Sequence, residues 1–134
     1  MNLQLPLKTE WFEMTKSGIK TEDYREITPY WYSRLVDRKN LPSIKKAELA
    51  FFIEQLQNQE GLIKEFLDNS NNVFKNCFKK FTQNTMTLGY PKTGDSEKTL
   101  KLEHKGIEIR TGNPEWGAEP NKLYFVINHG KILI

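Results

Sequence analysis

Cysteine is almost missing from this chain. Cys77 is the single thiol in 134 residues, so no internal disulfide can form and no thiolate cluster is there to hold zinc. Histidine is nearly as scarce. His104 and His129 stand on separate segments without metal-ligand spacing, so neither a metal ion nor another cofactor is expected, and both read as surface or supporting residues. No apolar run approaches the ~20 residues of a membrane span. The first residues lack the basic start, apolar core and cleavage site of a secretory leader. The expectation is a soluble, cytoplasmic protein with no membrane partner. A large charge excess is also lacking: 20 Lys and Arg against 17 Asp and Glu leave +3. That balance permits nucleic acid as a partner without demanding it. There are no internal repeats and no low-complexity segment.

What the chain has is enough length for one domain with a real core, residues 1–134. Its densest concentration of chemistry is Gly18-Ile19-Lys20-Thr21-Glu22-Asp23-Tyr24-Arg25-Glu26, followed by Thr28-Pro29-Tyr30-Trp31. Gly18 stops a short helix in the left-handed conformation that glycine adopts cheaply. From Lys20 the side chains alternate, with Lys20, Glu22, Tyr24 and Glu26 on one face and Thr21, Asp23 and Arg25 on the other. Burying unpaired charge is costly, so a covered face requires Asp23 and Arg25 to pair. Lys20 joins them only if a bulge or strong twist near Thr21 brings it round.

The rest of the chain reads in order. Leu3, Leu5 and Leu7 alternate with polar residues and predict a first strand. Thr9 can cap a helix with Trp11, Met14 and Thr15 facing inward. Thr28 caps and Pro29 opens a second short helix to Val36. Residues 43–81 carry helical apolar spacing: Ser43 as cap, then Ile44, Ala47, Phe51, Phe52 and Leu56. Gly61 breaks the run, and Leu62, Ile63, Phe66 and Leu67 resume it. Asp68-Asn69-Ser70-Asn71 then signals a turn, and Val73, Phe74, Cys77, Phe78 and Phe81 form a third stripe. This span reads as a helical insertion or lid. From Thr82 the period becomes two: Thr85 to Leu88, Leu100 with Leu102, Ile107 with Ile109, Tyr124 to Ile127 and Ile132 to Ile134, with a turn-rich loop at Gly89–Asp95. The fold class is α+β, a small mixed barrel with flanking helices.

Several side chains could carry chemistry. Lys20 against apolar walls or beside another cation can act as base or nucleophile. Arg25 stays charged and can grip a phosphate or carboxylate through two parallel bonds. Asp23 can orient either cation or accept a proton. In Gly112-Asn113-Pro114-Glu115-Trp116-Gly117, Trp116 offers a flat face for a base and Glu115 an acceptor or acid/base group.

The segment from Gly18 to Arg25 resembles the ASCH-domain signature of the PUA-like superfamily: glycine, any residue, lysine, two of any kind, glutamate, any residue, arginine. Gly18, Lys20 and Arg25 are in register, and Asp23 stands where glutamate is usual, with Glu22 beside it. Gly112–Ala118 followed by Tyr124-Phe125-Val126-Ile127, with Trp11-Phe12-Glu13-Met14 and Tyr30-Trp31 upstream, is similar to small phage- and bacterium-encoded ASCH proteins. The likeness covers roughly the first and last quarters of the chain. It implies a PUA-like barrel that binds RNA or a nucleotide in a cleft between the Gly18–Arg25 strand and the Pro114–Gly117 loop, with Arg25, Tyr30, Trp31 and Trp116 as ligand-binding residues. The alternative it implies is a small hydrolase, a ribonuclease or an amidohydrolase acting on a modified nucleoside, with Lys20, Asp23 and Glu115 as catalytic residues. Lys20 matches the catalytic lysine of the PUA-like acetylcytidine amidohydrolases, whereas Asp23 occupies their hydroxyl position.

Overall fold

The computed structural model describes residues 1–58, 64–89 and 98–133. The expected break at Gly61, the stripe residues Leu62 and Ile63, all but Gly89 of the turn-rich loop, and Ile134 lie outside the described residues.

Strand β1 spans Asn2–Leu7, and its alternation buries Leu3, Leu5 and Leu7. Helix α1, Thr9–Lys16, begins at the expected cap residue itself: the N-cap falls one position earlier, on Lys8, and no side chain caps it. Phe12 and Thr15 are its buried residues, while Trp11 and Met14 are half-buried. Gly18 ends the helix at φ +83°, and the N–H groups of Ile19 and Lys20 both reach the Met14 carbonyl at 3.1 Å. That turn releases strand β2, Glu22–Arg25, and then helix α2, Pro29–Leu35, whose Trp31 N–H is accepted by the Thr28 hydroxyl at 3.3 Å.

Helices α3, Ser43–Asn58, and α4, Lys64–Phe74, follow. Strands β3, Gln83–Leu88, β4, Thr99–Thr111, and β5, Leu123–Leu133, complete the fold. Among the described residues five strands make one mixed sheet in the order β1-β3-β4-β5-β2, in which β1 and β3 are parallel and the other pairs antiparallel. The sheet curls into a half-barrel. Its bend is built into β4, which unites two segments that read as separate strands. Residues Thr99–Glu103 pair with β3, β5 pairs along β4 from Lys101 to Thr111, and the register against β5 shifts on either side of His104. Gly106, at φ +107°, lies within the shift.

The concave face of the sheet and the helices share one core. Leu5, Met86, Ile109, Phe125 and Ile127 from the strands join Phe12, Leu35, Leu49, Ile53, Leu56, Phe74 and Cys77. Each such side chain withdrawn from water contributes about 1.5–3 kcal/mol before entropy is subtracted. The span expected as an insertion or lid therefore supplies part of the main core. Its buried stripe is differently phased from the expectation: Leu49, Ile53 and Leu56 point inward, whereas Ile44 and Phe51 are exposed. Apolar residues occur around most of α3, so spacing alone does not select a face. Among the described residues no helix is long and apolar enough to cross a membrane.

Asp68-Asn69-Ser70-Asn71 is not a turn but the middle of α4. The Ser70 hydroxyl turns back to the Phe66 carbonyl at 2.8 Å. Asn71 reaches the half of β4 that β3 does not cover: its amide donates to the Ile109 carbonyl and its oxygen accepts from the Ile109 N–H, both at 2.9 Å. One side chain thus stands in for a neighbouring strand and seals an open edge. Asn71→Ala leaves both backbone groups of Ile109 without that partner, and an unfolding free energy lower by about 2 kcal/mol is expected in urea titration.

Candidate functional site

Strand β2 has two faces with different work. Its register sets Asp23 opposite Ile127 and Arg25 opposite Phe125 without a slip, which directs Asp23 and Arg25 toward the core. There the Asp23 carboxylate is shared: Oδ1 accepts from Lys20 Nζ at 3.2 Å and Oδ2 from Arg25 Nε at 2.7 Å. The side chains of Lys20 and Asp23 are 1% and 6% exposed, and that of Arg25 is 16% exposed. The second arm of Arg25 donates to the Pro6 carbonyl at 2.9 Å, so an edge strand is tied to the opposite edge, β1. No bulge brings Lys20 round. The strand begins at Glu22, and the turn after α1 delivers Lys20 from below it. Burial alone would raise the Asp23 pKa, but the charges of Arg25 and Lys20 and the Arg25 hydrogen bond outweigh it and hold the carboxyl below its ordinary range.

A separate polar chain lies near enough to this ion network for the charges of Asp23 and Lys20 to act on it. His129 is buried, not at the surface, and its Nδ1 is 2.7 Å from the Asn84 amide nitrogen. That amide also donates to the Asn128 carbonyl at 3.4 Å, and Asn84 Oδ1 faces His104 Nδ1 at 2.7 Å. This orientation makes His129 Nδ1 an acceptor and places its proton on Nε2, which is buried without a hydrogen-bond partner among the described residues. Burial pushes the His129 pKa down to about 4, the Lys20 charge adds to this, and the Asp23 charge opposes it. Burial also lowers the His104 pKa. The parity of Phe125, Ile127 and His129 is the sequence signal for this inward placement.

The other face of β2 builds a small cavity. The Tyr24 hydroxyl donates to Glu22 Oε1 at 2.5 Å and accepts from the Asn113 N–H at 2.9 Å. Arg110 grips both Glu22 oxygens. The loop entering at Gly112 is thereby docked on Tyr24, and a Cβ at Gly112 would lie 2.7 Å from that ring. At Pro114–Trp116 the loop makes a short 3-10 turn that Gly117 ends at φ +99°, its backbone against the Trp11 ring. Trp11, Tyr24, Trp116 and Tyr124 wall a cavity of about 220 Å³, with Glu26 and Glu119 also lining it. Tyr24 and Tyr124 stand 5.7 Å apart between ring centres. Lys122 pairs with Glu26 at 2.8 Å and lies 5.4 Å from the Tyr124 ring centre.

The structure thus separates the residues singled out in the sequence. Asp23 and Trp116 line the cavity, while Lys20 and Arg25 do not. Glu115 is exposed on the loop, its N–H accepted by Asn113 Oδ1 at 3.0 Å. The guanidinium groups of Arg25 and Arg34 lie 4.8 and 5.7 Å from the Trp31 ring centre, and Tyr30 meets that ring edge-on while 60% exposed. Trp11, Tyr24, Tyr124 and Glu119 do not stand out in the sequence as site residues, because each reads locally as core or surface and converges only through the fold. Among the described residues no cluster of three or more His, Cys, Asp or Glu could hold a metal ion. Comparison with protein-family models, curated proteins and solved structures finds no match to this chain.

The buried His129 makes stability depend on pH with a defined sign. Its folded pKa, about 4, lies below the unfolded value near 6.5, so the unfolded chain takes up the proton first. Stability is full above pH ~6.5 and falls as pH drops from there toward about 4, by on the order of 3 kcal/mol. Below pH ~4, protonation of Asp23 removes more. Unfolding free energies from urea titration at pH 7.5, 5.5 and 4.5 should show this decline, and His129→Gln should flatten it above pH 4.5. A wild-type profile already flat between pH 7.5 and 4.5 would contradict the assignment.

Proposed function

We propose that the chain is a binding module for a nucleobase, presented by a nucleotide or by an unpaired position of RNA, in the manner of a PUA-like ASCH domain. One observation carries the reading: Trp11, Tyr24, Trp116 and Tyr124 converge from separate segments on one cavity that Glu26 and Glu119, both paired with Lys122, also line. Aromatic faces accept any base by stacking. Carboxylates accept hydrogen bonds from exocyclic amino groups, as they do from cytosine N4. At about 220 Å³ the cavity is below the ~300–1,000 Å³ of drug-sized sites, which suits one ring system with sugar and phosphate outside. The resemblance at Gly18–Arg25 and at Gly112–Ala118 falls on the two segments that meet here, and the curled mixed sheet suits a PUA-like barrel.

The geometry favours binding over hydrolysis. A catalytic Lys20 would have to leave Asp23 and reach substrate from a site where its side chain is 1% exposed. Its pairing speaks for a part in holding the strand in place instead.

Thermal shift against a set of nucleosides, modified nucleosides included, tests the reading. A nucleoside that binds the folded chain raises Tm by mass action, and with no phosphate on the ligand the shift should be insensitive to salt. Trp116→Ala should weaken that ligand about 5- to 150-fold, corresponding to the ~1–3 kcal/mol of base stacking, with the parent fold retained. No shift with any nucleoside at millimolar concentration would overturn the proposal. Turnover of a modified nucleoside that disappears in Lys20→Ala would replace it with the hydrolase reading.

A further inference from the structure

A second concavity, about 950 Å³, lies elsewhere and shares no lining residue with the aromatic cavity. Backbone hydrogen bonds shape it. The segment after α2 and the segment after α4 are stitched together by Asp37 N–H to the Cys77 carbonyl at 2.7 Å, Lys79 N–H to the Leu35 carbonyl at 2.8 Å, and a bridge between Val36 and Phe78. This sets Arg38 and Lys39 alongside Lys79 and Lys80, and Lys46 joins them from α3. Among the described residues Asp37 is the one carboxylate residue in the lining. Five cations against one carboxylate give an excess of four, more than the +3 of the whole chain, whose remaining residues carry fifteen cations and sixteen acids. Among the described residues none of the five makes an ion pair within 4.0 Å. Arg38 is held over the Tyr32 ring at 5.4 Å, so it is positioned without being neutralised.

Unpaired like charges held together repel one another, and an anion that fills the space between them relieves this. We propose that the groove binds the phosphate backbone of a single-stranded nucleic acid. The placing of charge on two antiparallel backbone segments and a helix suits successive phosphates along a strand, and a volume of about 950 Å³ exceeds what one phosphate requires. The choice of nucleic acid as partner rests on the base-binding reading, but the groove contributes a separate, sequence-independent and salt-sensitive term.

The test is the affinity of the full chain for a fluorescent twelve-residue oligouridine as salt is raised from 50 to 300 mM. With four to five phosphates held, log affinity against log salt should have a slope of about −3. The triple variant Lys39→Ala, Lys46→Ala, Lys80→Ala should reduce it to about −1, while Lys101→Ala, outside the groove, leaves it unchanged. All these lysines are exposed, so circular dichroism and Tm should match the parent. Inorganic polyphosphate should compete with the oligouridine, and polyglutamate of equal charge should compete at least tenfold less well. Absence of oligouridine binding at 50 mM salt, a slope indifferent to the triple variant, or equal competition by polyglutamate would each overturn the proposal. Trp116→Ala separates the two sites: it should weaken nucleoside binding about 5- to 150-fold yet keep the salt slope. Salt-dependent oligouridine binding without any nucleoside binding leaves the groove standing and removes the aromatic cavity.

Discussion

One carboxylate holds this fold together at its weakest place. The half-barrel has two free edges, β1 and β2, and the chain between them does not pair them by backbone hydrogen bonds. Asp23 gathers Lys20 from the end of α1 and Arg25 from its own strand, and Arg25 carries the link on to the Pro6 carbonyl of the far edge. Three segments are fixed by a handful of polar contacts. The cost is large, since charges leave water, and the cluster holds two cations for one anion. Loss of the carboxylate would therefore leave two buried cations without their counter-ion, which is worse than never having built the network.

The same strand serves the outer face through simple parity. Every second residue of β2 belongs to the ion network, and the residues between them belong to the outer face. Tyr24 is the pivot there, since its hydroxyl is fixed by Glu22 and in turn fixes Asn113, which positions the Trp116 loop. Rigidity of the core side is thus transmitted to the aromatic side through four residues of backbone. The rings on this side are therefore held in place by hydrogen bonds that trace back to the same four residues.

Much of this is legible in the chain. Period-two alternation marks β1 and the two faces of β2. Gly18, Thr28 and Pro29 mark helix boundaries, because those residues solve local backbone problems that do not depend on tertiary context. What escapes a reading of the sequence is set by distant partners. Lys20 continues the alternation in the sequence, yet the turn after α1 decides its direction. Asp68 to Asn71 carry turn chemistry, but an open strand edge at Ile109 supplies a partner for Asn71 that makes the helix the better solution. The phase of α3 is hidden by apolar residues on several faces. His129 reads as a surface or supporting residue, and its place two residues beyond Ile127 already puts it on the buried side of its strand. The aromatic cavity is half visible, with Trp116 conspicuous in its loop and the three companion rings not.

The order of the strands also bears on how the fold is reached. Glu22 in β2 pairs with Asn128 in β5, and Asn2 in β1 pairs with Gln83 in β3, so neither early strand has a partner nearby in the chain. High sequence separation between paired strands slows the search for the native topology, because loop-closure entropy is lost before the contacts repay it. The local structure available first is the four helices, and β3, β4 and β5 can form the antiparallel scaffold on which both early strands later dock. On that order of events the Lys20–Asp23–Arg25 cluster would assemble late. Its three charges would stay in water until then, so an edge strand that is buried and paired in the folded chain would be a charged, well-hydrated segment while it waits.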